Sequence, residues 1–244
     1  MLHKIIDLIQ RLSERDMRAR NLKRVVTLVL VSYNYPAMLQ ECLTTLIATR
    51  ETYPFHLVII DNDSVPETKA ILREYERLPY VRVVYMPANV NYVKALKAGL
   101  AEVRTPYTVT IQTDMTFPEK RWLSYMMERY RDGTLLFINQ HHPETRRWCY
   151  GFCFLIDTAT YRRVGVNDRF VLCCEDWDFM NRLVAANGKR SLMQSRGPYV
   201  FHRTCYIRQD REGAVTSPIE AKDQETYRSI WGECRFPRHR IRSV

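Results

Sequence analysis

Val25-Val-Thr-Leu-Val-Leu-Val31 is a run of β-branched and aliphatic residues broken by a single threonine. A strand of that composition is buried on both faces, the condition of a central strand in a parallel sheet. Pro36 then opens a helix whose apolar positions, 38, 39, 42, 43, 46 and 47, fall on one face. Outward from this unit, strand and helix alternate. His56-Leu-Val-Ile-Ile60 is followed by a helix through Ile71 and Tyr75, Val81-Arg-Val-Val-Tyr85 by a helix from Tyr92 to Leu100, and Tyr107-Thr-Val-Thr-Ile111 closes the series. Repeated βα units predict an α/β fold with a doubly wound, mostly parallel sheet flanked by helices. After Phe117 the rhythm loosens into a helix at 122–130, strands at 135–139 and 150–156, and a helix over 176–186 with Gly188 as its C-cap.

Composition sets the outer bounds. At 244 residues and 46% hydrophobic the chain can bury a sizeable core, and no apolar run is long enough to cross a bilayer. Met1-Leu-His-Lys-Ile-Ile-Asp-Leu-Ile-Gln-Arg11 lacks the apolar block of a secretory signal, so a cytoplasmic location is expected. Seven cysteines, an odd and scattered number, predict reduced thiols rather than a disulfide framework. Among them, Cys149, Cys153, Cys173 and Cys174 have spacings that suit tetrahedral zinc poorly.

The net charge of +10 is unevenly distributed: residues 1–24 and residues 235–244 each carry +4, leaving +2 for the 210 residues between. Leu2, Ile5, Ile6, Ile9 and Leu12 form one face of a basic amphipathic helix, which can cap the core, pair with another subunit or lie on a membrane surface. Three regions follow: the N-terminal helix over 1–24, a domain over 25–205, and a C-terminal extension with a basic tail over 206–244. Basic ends attract anionic partners such as a membrane surface, an acidic polymer or nucleic acid, and they equally serve as solvated surface.

Two acidic features stand out. In Tyr107-Thr-Val-Thr-Ile-Gln-Thr-Asp-Met-Thr-Phe-Pro118 an apolar strand delivers Asp114 to the C-terminal end of the sheet, where open α/β sheets bind ligands. Glu175-Asp176-Trp177-Asp178 opens a helix behind the apolar Phe170-Val-Leu-Cys-Cys174. Carboxylates in a first helical turn face the positive end of the dipole and need mean nothing more. Three acids around a tryptophan exceed that need, and an apolar setting suits a general base. A metal-binding carboxylate and a base on one cleft suggest group transfer from a diphosphate donor.

Five segments, in order, resemble the family 2 glycosyltransferases of GT-A fold. Thr27-Leu-Val-Leu-Val-Ser-Tyr-Asn34 and Val58-Ile-Ile-Asp-Asn-Asp-Ser64 look like the family's first two strands. Asn89-Val-Asn-Tyr-Val-Lys-Ala-Leu-Lys-Ala-Gly99 is similar to its N-x-G…N-x-G segment, Gln112-Thr-Asp114 stands at the D-x-D position, and Glu175-Asp-Trp-Asp178 matches the E-D-x-D box. The resemblance covers Val25 to His202.

The resemblance implies an inverting, metal-assisted transfer of a sugar from a nucleotide sugar to an acceptor hydroxyl. Donor contacts would fall to Ser32, Tyr33, Asn34, Asp61, Asn62, Lys94, Gln112 and Thr113, although Asn, Asp and Ser also form ordinary turns. Mn²⁺ or Mg²⁺ would sit on Asp114, with His202 a further ligand or a structural histidine. Gln112 replaces the first acid of D-x-D, so a weaker metal site is expected. Asp176 would be the base, Glu175 and Asp178 would support it or position the acceptor, and Trp177 would stack on a sugar. Lys94 and Lys97 can contact phosphate or be merely solvated. The acceptor would be a glycan, lipid-linked or otherwise anionic; the alternatives are hydroxylated bases of viral DNA, or a non-catalytic binding protein on a degenerate scaffold.

Overall fold

The computed structural model describes residues 25–141, 153–203, 218–232 and 242–243. The basic amphipathic segment 1–24 and most of the tail lie outside them. β1 (Val26–Ser32) is buried at every position and lies between β2 (His56–Asp61) and β4 (Tyr107–Gln112), parallel to both. β3 (Val81–Tyr85) extends the parallel half beyond β2. Beyond β4 the sheet becomes mixed: β7 (Phe154–Asp157) runs antiparallel to β4, β6 (Leu135–His141) antiparallel to β7, and β8 (Leu192–His202) parallel to β6. The full order is β3-β2-β1-β4-β7-β6-β8-β5, where β5 (Met115–Thr116) is antiparallel to the end of β8 and β9 (Arg242–Ser243) pairs with its beginning.

The two faces of β1 are distinguished by the period of two that a pleated strand imposes. Val26, Leu28 and Leu30 pack with Leu39, Cys42, Leu43 and Leu46 of α1 (Pro36–Ile47). Val29 and Val31 pack with Ala95 and Leu96 of α3 (Tyr92–Glu102) on the other side. α2 (Pro66–Tyr75) joins the first layer through Leu72, as does α4 (Trp122–Arg129) through Trp122, Leu123 and Met126. α5 (Thr158–Val164) and α6 (Glu175–Asn187) cover β6 and β7 through Tyr161, Phe179, Met180 and Leu183. Helices therefore cover both faces, and β1, β2 and β4 all end at one edge.

The element order agrees with the sequence reading, including Pro36 as the first residue of α1 and Gly188 as the C-cap of α6 with φ 87°. Five elements were not legible: the two-residue strands β5 and β9, α5, the long β8 with its register shift between Phe137 and Asn139 on β6, and α7 (Pro218–Trp231) in the region read as an extension. Among the described residues no helix is long and apolar enough to cross a membrane.

The seat of α3 depends on Gly99. A Cβ there would stand 2.6 Å from Val29 Cγ1 and 3.0 Å from Ile60 Cγ1, so the helix could not lie this close to β1 and β2. We expect Gly99→Ala to cost about 1–3 kcal/mol through overpacking, read as a lower urea midpoint at unchanged slope. An unchanged midpoint would mean that α3 sits further from the sheet than described.

Candidate active site

The loops that leave β1 and β2 are laced together by their own polar side chains. Asn34 and Tyr35 both take left-handed backbone conformations, φ 56° and 54°, which is costly for a tyrosine and persists only where neighbours hold it. They do: Asn34 N–H donates to Ser64 Oγ at 2.9 Å, and Asn34 Oδ1 accepts from Val65 N–H at 3.0 Å. Ser32 is buried, and its carbonyl accepts from Asn62 N–H at 2.8 Å. The buried Asp61 accepts from Ser64 N–H at 3.2 Å and has Lys69 Nζ at 4.0 Å. Asn62 reaches the next loop, donating to Asn89 Oδ1 at 3.1 Å and accepting from Val90 N–H at 3.0 Å.

Asn91, with φ 74°, then caps α3 by accepting from Lys94 N–H at 3.0 Å. Six of the polar residues singled out as donor contacts or family motif, Asn34, Asp61, Asn62, Ser64, Asn89 and Asn91, thus frame the strand ends through their own side-chain hydrogen bonds. Tyr33 and Tyr35, 45% and 65% exposed, are left presented at the rim.

At the end of β4, Gln112 and Thr113 are half-buried and Asp114 is buried. The Gln112 side chain interacts with the Tyr92 hydroxyl. The antiparallel pairing of β5 with β8 sets Met115 opposite His202, and Arg203 N–H donates to the Asp114 carbonyl at 3.0 Å. His202 Nε2 consequently lies 3.1 Å from Asp114 Oδ2, with the imidazole 3% exposed. The Arg203 guanidinium pairs with Glu41 of α1 and pins the end of β8 to the first βα unit. Lys94 is exposed on the first turn of α3, whereas Lys97 is committed to Asp168 at 2.5 Å.

The acidic box begins α6. Cys174 occupies the N-cap in a left-handed conformation, φ 65°, and Glu175 and Asp176 follow at 3% and 5% exposure. Glu175 Oε2 and both carboxylate oxygens of Asp176 have no hydrogen-bond partner. Glu175 and Asp176 line a small recess together with Tyr92, Tyr161, Phe154 and Phe179. Burial pushes Asp176 up to about 7 against the lowering effect of the Trp177 and Asp176 N–H groups, neither of which makes a hydrogen bond of good geometry to it, and burial together with Asp176 raises Glu175 well above the usual carboxylate range. The Tyr92 hydroxyl is raised by burial first and by Glu175 next, with Asp176 and Asp114 contributing, so it stands between the two acidic features.

Asp178 is differently placed. Its oxygens accept from Arg182 Nε at 2.7 Å and Trp231 Nε1 at 2.9 Å, and Arg182 also donates to the carbonyls of Val164 and Gly165. Its charge therefore ties α6 to α5 and α7. Trp177 is half-buried, with Tyr227 of α7 edge-on to its ring at 5.7 Å. Among the described residues no three His, Cys, Asp or Glu side chains cluster as a complete metal site. Tyr92, Tyr161 and the residues of α7 escaped the sequence reading. The spacing Asp223, Tyr227, Trp231, one helical turn apart at each step, was the available signal.

Comparison with known proteins accords with this geometry. Residues 27–150 match the sequence profile of glycosyl transferase family 2. The hyaluronan synthase of Pasteurella multocida is 27% identical over 115 residues, an alignment covering 46% of this chain and 12% of that protein. The chain thus matches only a small part of the length of that relative. The crystal structure of S. aureus TarS 1–349 superposes with a TM-score of 0.60 at 16% identity, covering 85% of this chain and 73% of TarS. The same TarS fragment in complex with UDP gives 0.55 at 14% identity, covering 73% and 60%.

A pH dependence follows from the acidic pair. Both carboxyls hold their protons to higher pH in the folded state than in the unfolded chain, where the ordinary Asp value is 3.8. Their stabilising contribution is fully present below that value and is lost as pH rises through about 7. The melting temperature should therefore fall between pH 5 and pH 8, and Asp176→Asn should flatten the slope and melt above wild type at pH 8. A variant with the wild-type slope would show that Asp176 ionises as an ordinary surface carboxylate.

Proposed function

The chain belongs to glycosyl transferase family 2, and on that premise we propose that it transfers a sugar, with inversion, from a nucleoside-diphosphate sugar to an acceptor hydroxyl, using Asp176 as the general base. The observation that carries this reading is the Asp176 carboxylate: buried, without a hydrogen-bond partner on either oxygen, and facing a recess. A base raised to about 7 is half ionised near neutral pH and keeps a useful driving force for taking a hydroxyl proton. Glu175, protonated beside it, keeps the pair from carrying two charges. It also leaves the ionised form to Asp176.

The donor side is read at the ends of β1, β2 and β4. Tyr33 offers an exposed ring for a nucleobase, Lys94 an exposed ammonium for phosphate, and the framed loops of Asn34, Asp61 and Asn62 a rigid floor. Asp114 and His202 are suited to hold a divalent ion together, because a buried carboxylate oxygen and an imidazole nitrogen already lie 3.1 Å apart and both donor types bind Mn²⁺ or Mg²⁺. When bound, such an ion stabilises the charge of a departing diphosphate. Gln112 adds no carboxylate and is engaged by Tyr92, so this site has fewer protein charges than a two-acid motif. UDP, the nucleotide in the TarS complex, is the first to test.

Asp178 supports the base by bracing α6 rather than by touching substrate, and the half-buried Trp177, next to the acidic pair in sequence, is read as the residue that stacks on a sugar ring. The acceptor is a glycan, lipid-linked or otherwise anionic, drawn by the +4 charge at each end of the chain. A non-catalytic scaffold would not need a partnerless buried carboxylate, because that group destabilises the fold.

A thermal-shift panel of nucleotide sugars with and without Mn²⁺ tests donor and ion together. Asp114→Ala should abolish the Mn²⁺-dependent rise, and His202→Ala should reduce it. Asp176→Asn should keep the rise and lose transfer by about a hundred- to ten-thousand-fold in kcat. Near-normal turnover by a folded Asp176→Asn variant would falsify the assignment of the base.

A further inference from the structure

Asp223 is a carboxylate with 0% exposure, on a helix outside the region that the family match covers. It accepts from three consecutive backbone N–H groups of the loop that enters α6. Val171 donates at 3.1 Å to each oxygen, Leu172 at 2.7 Å and Cys173 at 3.0 Å to the same one. An ionised carboxylate is costly to bury, and three converging amides supply charge-assisted hydrogen bonds that offset the cost. Successive amides converge in this way only when the backbone curls around an anion. The curl ends at Cys174, which takes a left-handed conformation, and Glu175 and Asp176 are the next two residues.

The same face of α7 grips α6 itself. Tyr227 accepts from Asn181 Nδ2 at 2.6 Å through its hydroxyl, and Trp231 Nε1 donates to Asp178. Asp223, Tyr227 and Trp231 therefore hold, in order, the approach to α6, its second turn and the far oxygen of its first-turn acid. The catalytic pair sits where these restraints meet, and no residue of α7 lines the recess.

We propose that Asp223 is a positioning residue for the base: its carboxylate sets the loop 171–173 and the Cys174 turn so that α6 presents Glu175 and Asp176 to the recess. This rests on the reading of Asp176 as the base. Asn at 223 would keep the volume and one acceptor oxygen while aiming an amide donor at backbone donors, so the loop would shift without leaving a hole. Misplacement of a catalytic group by about 1 Å costs about a hundredfold in rate. Donor contacts on β1, β2 and β4 have no hydrogen bond to α7 among the described residues, so donor affinity should be untouched.

The test is steady-state hydrolysis of a panel of UDP-hexoses, with water as the acceptor and Mn²⁺ present, by the 244-residue chain. Asp223→Asn should lower kcat by about ten- to a hundredfold with the donor KM unchanged. The stability control is Thr49→Val, which removes the acceptor of Trp122 Nε1, 3.1 Å away, behind the C-terminal end of α1 and at the opposite end of the sheet from the site. It should lower the melting temperature while leaving kcat at the wild-type value. If Asp223→Asn does not purify folded, Asp223→Glu, which keeps the charge one methylene out of place, should give the same split. Wild-type kcat in the folded Asp223 variant, or a loss matched by Thr49→Val, overturns the positioning role alone. A wild-type protein that turns over no UDP-hexose, and whose melting temperature no nucleotide sugar raises, overturns the functional reading and the positioning role with it.

Discussion

Glu175 and Asp176 are adjacent carboxyls held out of water with three oxygens unpartnered, and much of the surrounding structure is what makes that arrangement tolerable. Isolated buried charge is expensive enough that a carboxyl protonates rather than bear it. Here burial shifts both groups upward, while the amide-rich first turn of α6 keeps one of them within reach of ionisation near neutral pH. The arrangement cannot relax, because Asp178 is bonded to Arg182 and Trp231, and the loop before it is bonded to Asp223. Stability is given up at the pair and recovered in its neighbours, the pattern expected where a group is kept poised rather than satisfied.

The two halves of the sheet make different contributions to the cleft. The parallel half brings the ends of β1, β2 and β4 to one edge, since parallel strands joined by right-handed crossovers all finish on the same side. The mixed half brings residues from opposite ends of the domain face to face. β8 returns alongside β6, and its last residues pair with β5, which sets His202 against Asp114 at 3.1 Å. α7 then closes the acidic side, so a helix read from sequence as part of an extension is packed against α6. The last described residues, Arg242 and Ser243, join β8 at its other end.

Local pattern was enough for most of the elements and for several candidate site residues. Val26 to Ser32 could be read as a doubly buried strand because nearly every residue is aliphatic, and Pro36 and Gly188 mark helix ends through backbone constraints that act within one residue. Asp114 and the 175–178 box were legible because acids at the end of an apolar strand and at the start of a helix break a hydrophobic pattern. The division of labour within the box was not legible. Asp176 and Asp178 lie two positions apart on one helix, so they face different neighbours: one a recess, the other Arg182 and Trp231.

The chain by itself determined an α/β sheet, the start of α1 and the end of α6, its family motifs and the acids on which its chemistry is read, because period, capping and strand-end position are properties of short segments. Only the tertiary structure decided which of those acids is free and which is bonded, that Gln112 engages Tyr92, that His202 meets Asp114, and that Asp223 curls the loop before α6. The reason is physical: desolvation and hydrogen-bond pairing depend on atoms brought together from distant segments, and a residue's own neighbours in sequence carry no record of them.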